Sequence, residues 1–310
     1  MIPVLLLVSI VSFTLLRLSP GDPARIYAGE ELSADDAYLA QIRTELGLDQ
    51  PIPVQYVAWI GHVVRGDFGY SILKHRSVGQ LIGEALPRTL ELGILALVIH
   101  ASIGLFVGVL SALRRDSLLD LLSTSVALAL ISVPSFVIAF LLILTFALGL
   151  RVLPPGGYAS FADDPVGHLR SLVLPSLAIG AGSLASIMRH TRSSLLETMS
   201  DDYIRTARAK GLREQVVVFR HALRNALIPV ATLVGLQVGG LIEGAFIVES
   251  IFAWPGIGRL TIDSINARDY AVVQAAVLLA AVSFMFATLI TDAVYATLDP
   301  RISYGGDSSG

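Results

Sequence analysis

The residues best equipped for chemistry lie in one polar island, DDYIRTARAKGLREQVVVFRHALRN at 201–225, set between two strongly apolar stretches. Within it His221 and Arg224 pair a base with a cation, which could begin an acid–base site. Neither GxSxG nor HExxH occurs in the chain, so no nucleophile or metal-activated water is marked out to work with them. There is no cysteine, which excludes thiol catalysis, disulfides and zinc–thiolate sites. The six histidines are scattered and form no metal-ligand pattern. The only lysines, Lys74 and Lys210, do not follow glycine, so the phosphate loop GxxxxGK[ST] is absent and ATP is not bound in that way. The expectation is a chain with no catalytic residues, no metal and no cofactor of its own.

A second group of chemically able residues sits inside apolar sequence. An ionisable side chain at the centre of a membrane helix costs on the order of 3 kcal/mol by insertion scales and tends to face a cavity. His100, Glu243 and Asp292 are such residues, with Gln237 as a neutral companion and Glu249 six residues beyond Glu243. The plainer alternatives are a packed, hydrogen-bonded His100, an interfacial Asp292, and a Glu243 paired with a neighbouring helix. Gly235, Gly239, Gly240 and Gly244 read as a tight helix-packing face.

These residues must be positioned by membrane helices. Of 310 residues 54% are hydrophobic, mean hydropathy is +0.71, and 15% are charged, against about 25% in soluble domains. A bilayer core needs about 20 apolar residues per helix, and six stretches qualify: about 2–18, 90–112, 121–150, 172–188, 226–248 and 271–297. The third is overlong and contains SVPS at 132–135. It reads as a short lead-in followed by a span from about 130, with Pro134 kinking or starting that span, and not as two spans. With the N-terminus inside, the short inner loops 113–117 and 189–225 carry ten Lys or Arg, against four in outer loops 151–171 and 250–270 of equal summed length. That excess predicts N-in, C-in. The fold expected is an all-α integral membrane protein with six transmembrane helices. Its parts are the first helix at 1–18, an external segment at 19–88, a transmembrane domain at 89–299 with the inner loop 189–225, and a tail at 300–310. The first helix begins almost at Met1, so a truncated start is possible. In the external segment, DDAYLAQIRTELGL has helical spacing, and VQYVAWIGHVV is amphipathic, with Tyr56 and Trp59 suited to the headgroup level.

The island itself carries helix punctuation. Ser200 reads as an N-cap, Asp201 and Asp202 as first-turn acids, Lys210 as the last turn and Gly211 as the left-handed residue that ends the helix. A second helix from about Glu214 to Asn225 leads into the fifth span. Tyr203, Ile204 and Ala207 share one side of the first helix, with Ala209 and Gly211 nearby, and small residues there permit close approach of another helix. On these residues alone the island is either a socket for a partner or a locally folded, positively charged loop.

The island resembles the cytosolic EAA loop of binding-protein-dependent ABC importer permeases. Counting back from Gly211, Arg205, Thr206 and Ala207 stand at the Glu-Ala-Ala positions, and only Ala207 matches the general pattern. YIRTARAKGL followed by HALRNALIP is similar to the dipeptide and oligopeptide branch, as are LSPGDPA, LGLDQPIPVQYVAWI, GDFGYS, FAWPGIGRL, RDYAVVQ and LDPRI, in order between residues 18 and 302. The resemblance implies a type I importer fold, a second similar permease, two cytosolic ATPases that carry ATP and magnesium, and an external binding protein. It implies no nucleic acid. It also implies that Tyr203, Ile204, Arg205, Thr206, Ala207, Arg208, Ala209, Lys210 and Gly211 form a coupling helix seated on an ATPase. Gln237, Glu243 and Glu249 become candidates for the translocation path, where a glutamate could meet a peptide amino terminus. Still open are a self-contained secondary transporter, a receptor without transport, and a permease for glutathione, oligosaccharide or nickel.

Overall fold

The computed structural model describes residues 2–18, 24–25, 36–45, 47–239 and 245–298. Expectations for Glu243, Gly240, Gly244 and the tail from 300 lie outside those residues, as does the side chain of Asp292. Thirteen helices and one two-residue-stranded hairpin make up the described chain, which divides into two compact units, residues 1–89 with 255–283 and residues 90–254 with 284–310.

The first unit begins with α1 (Ile2–Leu18), α2 (Asp36–Glu45) and α3 (Ile52–Val64). The helical spacing read at 35–48 appears as α2, closed by Gly47 at φ +62°. Its Leu39 and Ile42 bury Ala24. Tyr56 and Trp59 of α3 pack on Phe13 of α1, with ring centroids 5.6 and 5.3 Å away. The Tyr56 hydroxyl lies 2.8 Å from Ser9 Oγ. The hairpin of β1 (Tyr70–Ser71) and β2 (Arg76–Ser77) leads into α4 (Val78–Leu113). Asp269 holds this hairpin: its Oδ2 accepts from Ser71 Oγ at 2.5 Å and from the Leu73 amide at 3.2 Å. Thr89 Oγ1 accepts from the Ile257 amide at 2.8 Å, meeting one of the free donors at the start of α12 (Ile257–Asn266). The unit closes with the first part of α13 (Tyr270–Leu298), whose Val272 and Ala275 pack on Val78 and Leu81.

The second unit contains the bent elements. The stretch expected as the third span is α5 (Leu118–Ser132) and then α6 (Ser135–Leu142) running into a π segment, Ile143–Gly149. The two parts meet at 112°. Val133, at φ −95° and ψ 125°, is extended because it precedes Pro134, which then opens α6. Fifteen residues reach only about 22 Å, so neither part alone matches a bilayer core of about 30 Å. The lead-in and the break at Pro134 are therefore both present, and the angle is far larger than a kink.

The fourth stretch is also divided. Helix α7 (Pro165–Ile179), capped by Asp164 Oδ1 on the Gly167 amide, meets α8 (Ala181–Met199) at a 63° bend around Gly180. A Cβ on Gly180 would fall 1.8 Å from Nδ1 of His100 on α4. His100 is 1% exposed and meets the Leu177 backbone, while its Nε2 has no hydrogen-bond partner among the described residues. This histidine is therefore packed but only partly bonded, and it fills the space a side chain at 180 would need.

The fifth stretch starts early, as one continuous helix α10: Glu214–Val216, a π segment at Val217–Ala222, then Leu223–Gly239. Glu249 belongs to the separate helix α11 (Ala245–Ile251), which packs Val248 and Phe252 on Ala139, Leu174 and Ala178. Among the described residues, three helices are long and apolar enough to cross a membrane, or up to five if each bent pair counts as one span.

Two glycines of α4 mark a close crossing with α8. Cβ atoms on Gly104 and Gly108 would fall 2.9 and 2.7 Å from the carbonyl oxygens of Leu184 and Met188 on α8. GLFVG is a GxxxG pattern, so close packing falls on this pair of α4. Gly235, expected to pack tightly on the fifth span, instead has open space where a Cβ would stand. Gly108→Leu is expected to force α4 and α8 apart and to cost about 1–3 kcal/mol. The readout is the midpoint of thermal unfolding in detergent. An unchanged midpoint would mean the crossing is not under this constraint.

Candidate coupling elbow

Helix α9 (Asp202–Ala209) is one short helix between α8 and α10. Its start differs by one residue from the sequence expectation. Ser200 ends α8, its Oγ donating to the Glu197 carbonyl at 2.7 Å, and the extended Asp201 (φ −65°, ψ 149°) occupies the N-cap position without a side-chain cap bond. Ser200 is used by the turn before it because only a two-residue break separates the helices. The end agrees with expectation. Gly211 has φ +77°, its amide donates to Arg208 O at 2.9 Å, and the Leu212 amide donates to Ala207 O at 3.4 Å. This is the Schellman arrangement, which needs a left-handed residue and favours glycine.

The orientation of α9 settles what its faces do. Ile204 and Ala207 are 0% and 7% exposed and pack on Leu195 of α8, Ala112 of α4, and Val217, Ala222 and Ala226 of α10. Of the side expected to meet another helix, Ile204 and Ala207 are thus turned onto the chain's own core, where Ala207 lies close, while Ala209 and Gly211 are not. Tyr203, Arg205, Thr206, Arg208, Ala209, Lys210 and Gly211 are exposed. Two side-chain contacts, with three hydrogen bonds between them, hold the helix in place. Arg208 grips Glu214 with Nε to Oε2 at 3.1 Å and Nη2 to Oε1 at 2.7 Å, and that carboxylate holds the guanidinium pKa above its ordinary value. Asn225 Nδ2 donates to the Tyr203 hydroxyl at 2.8 Å. Leu212, Val216 and Phe219 stand exposed beside α9. The π segment at 217–222 lies under α9, where it re-aims Val217 and Ala222 into the shared core; such bulges recur at functional sites.

Sequence reasoning missed the clamp behind the elbow. Asp120, 4% exposed, takes Arg192 Nε on Oδ1 at 2.6 Å and Nη2 on Oδ2 at 2.7 Å. It also accepts from Ser111 Oγ and from the Asp116 amide, the latter at 3.0 Å. One carboxylate thereby ties the end of α4, the turn at 114–117, the start of α5 and the middle of α8. The local signal was an acidic residue among leucines, LLDLL at 118–122; its partner lies 72 positions away.

The path candidates do not converge on one helix. Gln237 is half-buried on α10, and its Oε1 has no hydrogen-bond partner among the described residues. Glu249 is fully buried on α11, and Glu243 lies outside the described residues. No cluster of metal-ligating side chains forms around His221 or elsewhere among the described residues.

Several apolar helices mark a membrane-embedded chain, and one short helix within it is packed on one side and exposed on the other. The chain belongs to the family described as binding-protein-dependent transport system inner membrane component, whose model matches residues 104–304. The N-terminal model of the same transport systems matches residues 1–93. The glutathione transport system permease protein GsiC of Salmonella paratyphi A is 42% identical over 304 residues, covering 98% of this chain and 96% of the relative. A putative peptide permease protein of Brucella suis biovar 1 is 43% identical over 301 residues, covering 96% and 94%. A putative peptide transport system permease protein of the same organism is 43% identical over 303 residues, covering 98% and 96%. The chain is therefore a multi-pass protein of the cytoplasmic membrane and a permease subunit of an ABC importer. Membership implies partners that bind the solute and that hydrolyse ATP.

Proposed function

We propose that this permease forms half of the translocation path of an importer for peptides or peptide-like solutes such as glutathione. In this reading six spans run N-in, C-in, with 19–88 external, 89–299 the transport domain and the residues from 300 a cytosolic tail. A second homologous permease completes the path, an external binding protein delivers solute, and two ATPase subunits bind the ATP and magnesium. This chain carries no cofactor, performs no covalent chemistry and contacts no nucleic acid. The observation that carries the reading is the mounting of α9: Ile204 and Ala207 anchor it to α4, α8 and α10, while its other side is free for a partner. A push on such a helix moves three long helices together, because packed cores transmit displacement. Exposed Arg205, Lys210 and Leu212 are the contacts assigned to the ATPase groove. Gln237, Glu249 and Glu243 remain assigned to the path, where a carboxylate would suit a peptide amino terminus.

The test is purification from the native host in mild detergent with mass spectrometry of the partners, followed by reconstitution. A phosphate-loop ATPase and a second permease are expected at fixed stoichiometry. Arg205→Glu with Lys210→Glu should weaken ATPase retention by about tenfold or more, since each charge reversal at a partner interface is worth on the order of 1 kcal/mol or more. A chain that purifies alone and carries solute in liposomes without ATP would overturn the reading.

A further inference from the structure

The first unit contains a long groove walled by Leu6 and Ser9 of α1, Val63 and Val64 of α3, and Ala275 and Leu278 of α13, with a volume of about 480 Å³. That is the scale of a ligand site. All its walls are apolar except Ser9, and the Ser9 hydroxyl is already used, donating to Leu6 O at 2.8 Å and lying 2.8 Å from Tyr56 OH. Water in the groove would find no free polar partner, and a stable internal water needs two to four. An empty groove would leave its lining without contacts on one side. In a bilayer the material at hand to fill such a space is hydrocarbon.

A charge follows the groove's wall in the chain. Arg65 directly follows Val63 and Val64, is exposed, and has no acidic partner among the described residues. The nearby Asp67 is engaged elsewhere, accepting from the Gly69 amide at 3.0 Å and lying 3.1 Å from His62 Nδ1. A cationic residue one position beyond an apolar groove's wall suits a phosphate above a hydrocarbon tail, and arginine is the side chain best shaped for bidentate phosphate contact. We propose that this groove is a binding site for one phospholipid from the surrounding bilayer, its acyl chain lying between α1, α3 and α13 and its phosphate on Arg65. The lipid then acts as packing for α3, a helix with no fully buried residue of its own. This site is independent of what the importer carries.

The experiment uses the full chain together with the subunits that accompany it, washed exhaustively in detergent and analysed by native mass spectrometry and lipid extraction. Re-addition of phosphatidylglycerol and phosphatidylethanolamine then measures headgroup preference. Wild type is expected to retain one phospholipid per chain and to prefer phosphatidylglycerol by about fivefold, the size of one basic contact to an anionic lipid. Ala275→Phe fills the packed side of the groove, and Leu6→Trp fills it from a half-exposed position that leaves the core untouched. Both should cut retained lipid by about tenfold, and Leu6→Trp decides the matter if Ala275→Phe fails to fold. Arg65→Gln should keep the lipid and lose the preference. The proposal falls if washed wild type carries no lipid, if Leu6→Trp retains it in full, if Arg65→Gln leaves the preference intact, or if cross-linking from the groove captures a protein segment in place of lipid.

Discussion

Gly211→Pro is expected to abolish most ATP-driven uptake while the chain still inserts, assembles and permits basal ATP hydrolysis on its partners. Proline fixes φ near −65°, whereas this position sits at +77°. The substitution also removes the amide that donates to Arg208 O. Together these cost about 3 kcal/mol or more, and the strain falls on the last turn of α9 and on Arg208, which holds α9 to Glu214. At 1.4 kcal/mol per factor of ten, a distortion of that size is enough to reduce productive seating of the helix by about a hundredfold. Gly211→Asn is the control, because asparagine tolerates the left-handed region, and it should transport at close to the wild-type rate. Uptake and ATPase activity are measured in parallel in proteoliposomes. Normal uptake in Gly211→Pro would mean that the geometry of α9 does not carry the coupling.

Asp120→Ala should destabilise the permease by about 3–5 kcal/mol, the range for removing one partner of a buried ion pair. The substitution leaves Arg192 charged and uncompensated, and it frees the Ser111 hydroxyl and the Asp116 amide as well. Asp120→Leu combined with Arg192→Met should recover much of the loss, since an apolar pair of similar volume avoids the desolvation penalty. Unfolding midpoints of the two single variants and the double variant form the cycle. If the double variant is stable yet imports poorly, the clamp matters for moving α5 and α8 as one body. If the single variant is as stable as wild type, the pair contributes nothing and the four segments are held by apolar packing alone.

Much of the candidate site was legible in the sequence because it is built from local interactions. The end of α9 follows from a glycine that must take a left-handed conformation, and Gly211 does so. The absence of a phosphate loop needs no structure, and the ordered motifs from residue 18 to 302 pointed to the family that the comparisons established. The start of α9 was misplaced by one residue because Ser200 had two turns to choose between, and the helix before it won.

What the sequence determined by itself is the membrane character, the family, and the existence and end of the short helix in the polar island, since each depends on composition or on contacts within one turn. Tertiary structure alone decided which side of that helix is buried. The sequence reading sets Tyr203, Ile204 and Ala207 on one side of the helix, and only the arrival of Leu195, Val217 and Ala112 buries Ile204 and Ala207 while Tyr203 and the other side stay exposed. It alone joined Asp120 to Arg192, turned a proline into a 112° corner, and placed His100 where Gly180 lacks a side chain. Those outcomes depend on groups far apart in the chain, whose approach is set by packing that no local pattern records.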